Sequence, residues 1–110
     1  DLNYFKKTAA KTYVAVDALL GLGANNAYPA RAVFQEIIDI INGCANIISI
    51  DGPTGVDMDS GLPYLARAVK AKETYALGFM KKGLILPHSA QYAGKLTVLD
   101  IFSDVARDAK

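Results

Sequence analysis

The chain has one cysteine, one histidine and no apolar run long enough to cross a membrane. A single cysteine excludes an internal disulfide and any site built from several thiolates. Cys44, just after Gly43, therefore reads as a small loop or core residue, compatible with a reducing compartment. A single histidine means that Ser-His-Asp chemistry would have to use His88, in "LPHSAQ". No Gly-x-Ser-x-Gly elbow accompanies it, so His88 reads as solvated surface. The most apolar stretch, residues 33–50, is broken by Gln35, Glu36, Asp39, Asn42 and Asn46, whereas a membrane helix needs about 20 consecutive apolar residues. An excess of one charge is missing too. Twelve basic residues against eleven acidic ones leave a formal net charge of +1, which argues against the basic stripe of a duplex-binding protein and against nucleic acid as a partner. There is no repeat, low-complexity tract or linker, so residues 1–110 read as a single unit. The first residues lack the basic-then-apolar pattern of a signal peptide. The expected localisation is cytoplasmic, with any targeting segment upstream of Asp1.

Apolar residues make up 52% of the chain, enough for one domain that buries roughly two-thirds of its unfolded surface. Four runs rich in β-branched and aromatic residues read as strands: residues 13–16, 47–50, 74–77 and 96–101. The second and fourth are nearly continuous apolar runs, the pattern of strands covered on both faces in a parallel sheet. Between the first two lies an amphipathic helix opening near Pro29, with Val33, Phe34, Ile37, Ile38 and Ile41 on one stripe and Gln35, Glu36 and Asp39 opposite. Gly43 after Asn42 is its terminator. Residues 2–10 form a second amphipathic helix. The expected fold is α/β with a mostly parallel sheet, and residues 52–66 and 80–94 are long loops of the kind that carry function.

In open parallel sheets, ligands bind beyond the carboxyl ends of the strands. Strand one is followed by Asp17 and "GLGANNA", strand two by Asp51 and "GPTG", strand three by "GFMKKG". Gly21-x-Gly23 lacks the third glycine of a dinucleotide fingerprint, because position 26 is Asn. It reads equally as a phosphate-approaching loop or a plain turn. Asp51 reads either as a turn cap or as a functional acid. The functional reading gains from Asp17, one strand over in the equivalent position, and the two acids beside the Thr54 hydroxyl would make an all-oxygen site for a hard cation. Lys81 and Lys82 read as a solvated turn. Tyr64, Tyr75, Phe79 and Tyr92 are too scattered for a base-stacking platform.

Taken in order, "VDALLGLG", "IISIDGPTGVDMDSG", "AVKAKETYALGFMKKGLILP" and "YAGKLTVLDI" resemble the second half of the YjeF N-terminal domain, the NAD(P)H-hydrate epimerase family. The resemblance implies a Rossmann-like three-layer α/β/α sandwich, commonly dimeric, of which this chain would be the C-terminal portion. It also implies an isomerase that interconverts the R and S forms of hydrated NADH and NADPH, so that a partner dehydratase acting on the S form can complete the repair. In that resemblance Asp51 is the general acid/base and contacts substrate. Asp17 and Thr54 are potassium ligands, Thr54 standing where the family motif has serine. Gly21, Leu22, Gly23, Ala24, Asn25, Asn26 and Ala27 line the dinucleotide. Gly52 stands where the family usually has isoleucine, which implies a looser turn, and the family's Asn-Asn-Gly-Gly-Asp-Gly loop has no counterpart. The alternative is a non-catalytic module of the same fold that binds nucleotide or RNA or dimerises, as in mRNA-decapping proteins. A nicotinamide dehydrogenase is disfavoured by the incomplete glycine fingerprint.

Overall fold

The computed structural model describes residues 1–19, 32–64 and 66–101. Their elements run α1 (Leu2–Ala10), β1 (Ala15–Asp17), α2 (Ala32–Asn42), β2 (Ile47–Ile50), β3 (Glu73–Leu77), two 3-10 turns (Lys82–Leu84 and Pro87–Ser89), α3 (Ala90–Ala93) and β4 (Lys95–Leu99). All four expected strands form, each within two residues of its expected bounds. They make one sheet in the order β1-β2-β3-β4, parallel at every pairing. The α/β class and the parallel sheet are those the sequence implied.

Helix α2 forms because its apolar residues recur on one stripe. Ile38 and Ile41 are buried there, and with Ile47 of β2, Val69 and Ala71 they make the core, against which Phe5 of α1, Ile37 and Cys44 pack. Ile38 is fully buried, so truncation to alanine would cost about 2–5 kcal/mol. The helix ends where Gly43 and Cys44 donate to the carbonyls of Ile40 and Ile41. Its polar face does more than meet solvent. Asp39 pairs with Arg67 at 2.6 Å, the Gln35 side-chain oxygen accepts from the Arg67 amide, and Asn42 both donates to Ala68 O and accepts from Lys70 N. These contacts sew the segment before β3 onto the helix.

In a sheet whose strands add in one direction, right-handed crossovers all pass over the same face. Burial agrees. Pairing aligns Asp17 with Ser49, Thr74 and Leu96 on one face, and Asp17, Ile47, Ser49, Thr74 and Ala76 are all buried there. The other face carries Val16, Ile48, Ile50, Tyr75 and Leu99, none of them buried, with Val16 62% exposed. The expectation that β2 and β4 are sheathed on both faces is thus corrected among the described residues: β2 is buried at alternate positions and no residue of β4 is fully buried. A continuous apolar run records that both faces avoid charge, not that both are covered.

Candidate functional site

The carboxyl end of the sheet joins the end of β1 to the turn after β2. Asp17, the last residue of β1, is 1% exposed. Register places it beside Ser49, whose hydroxyl donates to Asp17 Oδ2 at 2.8 Å. The Thr54 amide donates to the same oxygen at 2.8 Å and the Thr54 hydroxyl to Oδ1 at 2.6 Å. A longer bond, 3.4 Å, comes from the Leu19 amide. Burying a carboxylate is costly unless donors replace its water, and hydrogen bonds to an ionised acceptor are among the stronger ones a protein makes. Asp17 is therefore a knot that ties the β2 turn back to β1.

Asp51 is built differently. Its amide donates to Tyr75 O at 2.7 Å, which extends the β2–β3 ladder by one bond. Then the chain turns, with Asp51 at φ 74°, the one non-glycine residue in the left-handed region among those described. Aspartate tolerates that region better than most residues, yet the conformation still costs of order 1 kcal/mol or more and persists where the surroundings enforce it, often at functional sites. The residue is half-buried, and no hydrogen bond reaches its carboxylate from the described residues. Around it Gly52, Pro53, Thr54, Gly55 and Val56 are all buried.

Two expectations need correcting. Asp17 and Asp51 are not equivalent positions on neighbouring strands, because Asp17 pairs with Ser49 and Asp51 lies two residues beyond that pair. One carboxylate is enclosed and the other sits past the strand end. Nor is the turn loose at Gly52, for the Met58 side chain fills the space above it.

The loop that follows is pinned at several points. Val56 and Pro63 form an antiparallel bridge. The Asp57 carboxylate accepts from the amides of Asp59 and Ser60 at 2.8 and 3.0 Å, and those bonds, Ser60 first, hold its pKa below the usual carboxylate value. His88, expected at the surface, is exposed but engages Ser60 O at 2.7 Å through Nε2. The Tyr64 amide donates to Gly55 O, and burial pushes the Tyr64 phenol above its ordinary value, with the charges of Asp17 and Asp57 acting the same way. Lys81 Nζ lies 5.6 Å from the centroid of the exposed Phe79 ring, as suits a solvated turn.

Asp17 and Thr54 are thus brought into direct contact, and Asp51 stands three residues before Thr54 on the same turn. Gly21, Leu22, Gly23, Ala24, Asn25, Asn26 and Ala27 lie outside the described residues. Sequence reasoning missed Ser49. Its signal was the one polar residue in "IISI", which in a strand of alternating burial points to a partner on the inner face. Among the described residues no three His, Cys, Asp or Glu side chains gather as a metal cluster.

The sequence profile of the YjeF-related protein N-terminus family matches residues 2–83. The chain belongs to that family. The matched span holds β1, α2, β2 and β3 and every residue of the Asp17, Asp51 and Thr54 site. Among curated relatives, the NAD(P)H-hydrate epimerase of Elusimicrobium minutum is 34% identical over 92% of this chain and 44% of its own length. That of Oenococcus oeni is 37% identical over 78% of this chain and 40% of its own, and that of Limosilactobacillus reuteri 30% identical over 89% and 45%. The chain therefore spans less than half the length of the curated relatives it matches.

Proposed function

We propose that this YjeF-related chain serves an NAD(P)H-hydrate epimerase, interconverting the R and S forms of hydrated NADH and NADPH, with Asp51 as the general acid/base. The observation that carries this reading is the contrast at the sheet edge: Asp17 spends its oxygens on internal donors, while Asp51 is held in a left-handed turn with no such bond to its carboxylate from the described residues. A carboxylate with unspent acceptor capacity at the mouth of a parallel sheet is placed to move a proton at a bound ring. Relatives bearing the epimerase name support the substrate class. The strand-end loop from Gly21 to Ala27 is proposed to line the dinucleotide.

Potassium belongs to the same reading. The donor chemistry fits a hard cation, since Asp17 and Thr54 offer a carboxylate and a hydroxyl oxygen already side by side. To hold the ion, the Thr54 hydroxyl would turn its hydrogen away from Asp17, leaving the Ser49 hydroxyl and the Thr54 amide to orient the carboxylate. Bound there, potassium would supply positive charge that orders the turn. The reading further includes a homodimer, an NAD(P)HX dehydratase as functional partner and a cytoplasmic setting. No helix among the described residues is long and apolar enough to cross a membrane.

The test is an epimerisation assay with pure R-NADHX, an S-specific dehydratase in excess and potassium present, comparing wild type with Asp51→Asn. Faster loss of the R form with wild type alone supports the reading. A folded Asp51→Asn variant that retains the wild-type rate overturns the role of Asp51. If neither protein is active, adding the remaining portion of an epimerase domain in trans decides between an incomplete site and a non-catalytic binding module.

A further inference from the structure

Met58 is anchored by its main chain and aims its side chain at the Asp51 turn. The Gly83 amide donates to Met58 O at 2.6 Å, and the approach is so close that a Cβ on Gly83 would stand 2.5 Å from that oxygen and 2.6 Å from the Met58 carbonyl carbon. On the other side, the neighbouring Asp57 carbonyl accepts from Gly61 N at 2.8 Å and the Asp57 amide donates to Leu62 O at 2.9 Å. With its backbone fixed at both ends, Met58 packs its thioether onto buried Gly52. A Cβ built on Gly52 would collide with Met58 Cε and stand 2.7 Å from Sδ, and its next neighbour would be Leu84 Cδ1 at 4.0 Å. Residues 52 and 58 thus share one small volume, which a flexible thioether is well suited to fill.

We infer that Met58 is a positioning residue for Asp51: its thioether, seated on Gly52, clamps the turn that holds Asp51 beyond β2 and couples that turn to the Lys82–Leu84 turn after β3. Asp51 and Gly52 are adjacent, so any shift of Gly52 rotates the peptide that sets the direction of the Asp51 side chain. Among the described residues no side chain gives the Asp51 carboxylate an orienting hydrogen bond, and beside the Asp51 amide bond to Tyr75 O the packing at Gly52 is what restrains the turn there. The inference rests on the epimerase reading for its catalytic consequence and on geometry alone for the shared volume.

The experiment compares Gly52→Ala, Met58→Ala, the double variant and Met58→Leu in the protein, with three readouts: unfolding midpoint, hydrogen-exchange protection of the Asp51 amide, and kcat and KM for R-NADHX. Met58→Ala lowers kcat about tenfold with KM little changed, the size expected for a misplaced group coupled through packing, and Gly52→Ala, whose methyl meets only the flexible end of Met58, lowers it by less. Each also weakens protection of the Asp51 amide. The double variant recovers kcat to within about threefold of wild type and restores protection, because the methyl at position 52 refills part of the volume. Met58→Leu, similar in volume, stays near wild type. Additive losses in the double variant, or single variants that leave Asp51 protection and kcat untouched, overturn the inference. If the wild type is inactive alone, kcat and KM are read with the remaining portion of an epimerase domain added in trans; inactivity there removes the epimerase reading, and the non-additivity of midpoint and amide protection still decides the clamp.

Discussion

Two aspartates end two adjacent strands, and their surroundings differ in almost every respect. Asp17 closes β1 inside the protein, with two hydroxyls and an amide on its oxygens. Asp51 follows β2, its amide making one more ladder bond to Tyr75 O before the chain turns, half-buried and in a backbone conformation that costs energy. The difference teaches that a carboxylate at a strand end can serve architecture or chemistry, and that its bonding separates the two. A fully satisfied acceptor stabilises what it touches; one held in a strained turn with no donor among the described residues keeps acceptor capacity for something else.

The contrast can be broken by substitution. The largest effect is expected from Asp17→Ala, which strands the Ser49 hydroxyl and the Thr54 amide and hydroxyl without their acceptor. With buried donors costing ~1–3 kcal/mol each, the loss should reach about 4 kcal/mol in urea unfolding. A loss near zero would mean that the knot is not what joins β1 to the turn. Asp51→Asn should do the reverse, leaving the unfolding midpoint in place while epimerisation falls at least ~100-fold. Asp51→Gly sharpens this point, since glycine adopts the left-handed turn without strain: the protein should gain up to about 1 kcal/mol and still lose activity.

Thr54→Val keeps the shape and removes the hydroxyl at 2.6 Å from Asp17, at an expected cost of about 1–2 kcal/mol by chemical denaturation. Thr54→Ser should stay closer to wild type, and equal losses in the two would place the effect in packing rather than in the hydrogen bond. Acid should act through Asp57. Its folded pKa is lowered by the amides of Ser60 and Asp59, so its contribution is present above the unfolded carboxylate value near ~3.9 and is lost as pH falls through the lower folded value. Stability measured from pH 6 downward should therefore decline less steeply in Asp57→Asn than in wild type. The smallest change belongs to Arg67→Ala, because the Arg67–Asp39 pair is exposed on both sides and screened by solvent and salt. A large drop there would shift weight from the buried knot to the surface pair.

Much of the fold was legible. The period of Ile37, Ile38 and Ile41 identified α2 and the inward stripe, and "IISI" marked β2 to the residue, because apolar burial imposes those spacings wherever the element ends up. Other features were not. Gln35 and Asp39 read as the face opposite the apolar stripe and Asn42 as the residue before the helix terminator, and docking of residues 67–70 gives all three partners beyond the helix. The apolar continuity of β4 suggested two covered faces, whereas its place at the sheet edge leaves Val98 and Leu99 partly exposed. Edge position is a property of strand order, which no local pattern records.

For the site the division is similar. The sequence by itself determined that aspartates end β1 and β2, that a Gly-Pro-Thr-Gly turn follows the second, and that the chain resembles the YjeF family, since residue type and spacing are local facts. Only the tertiary structure decided which aspartate is enclosed and which is strained, that Ser49 and Thr54 both bond Asp17, and that Met58 fills the space over Gly52. The reason is physical: register between β1 and β2 sets which residues are neighbours across a span of more than thirty positions, and one residue of shift would turn Ser49 to the opposite face.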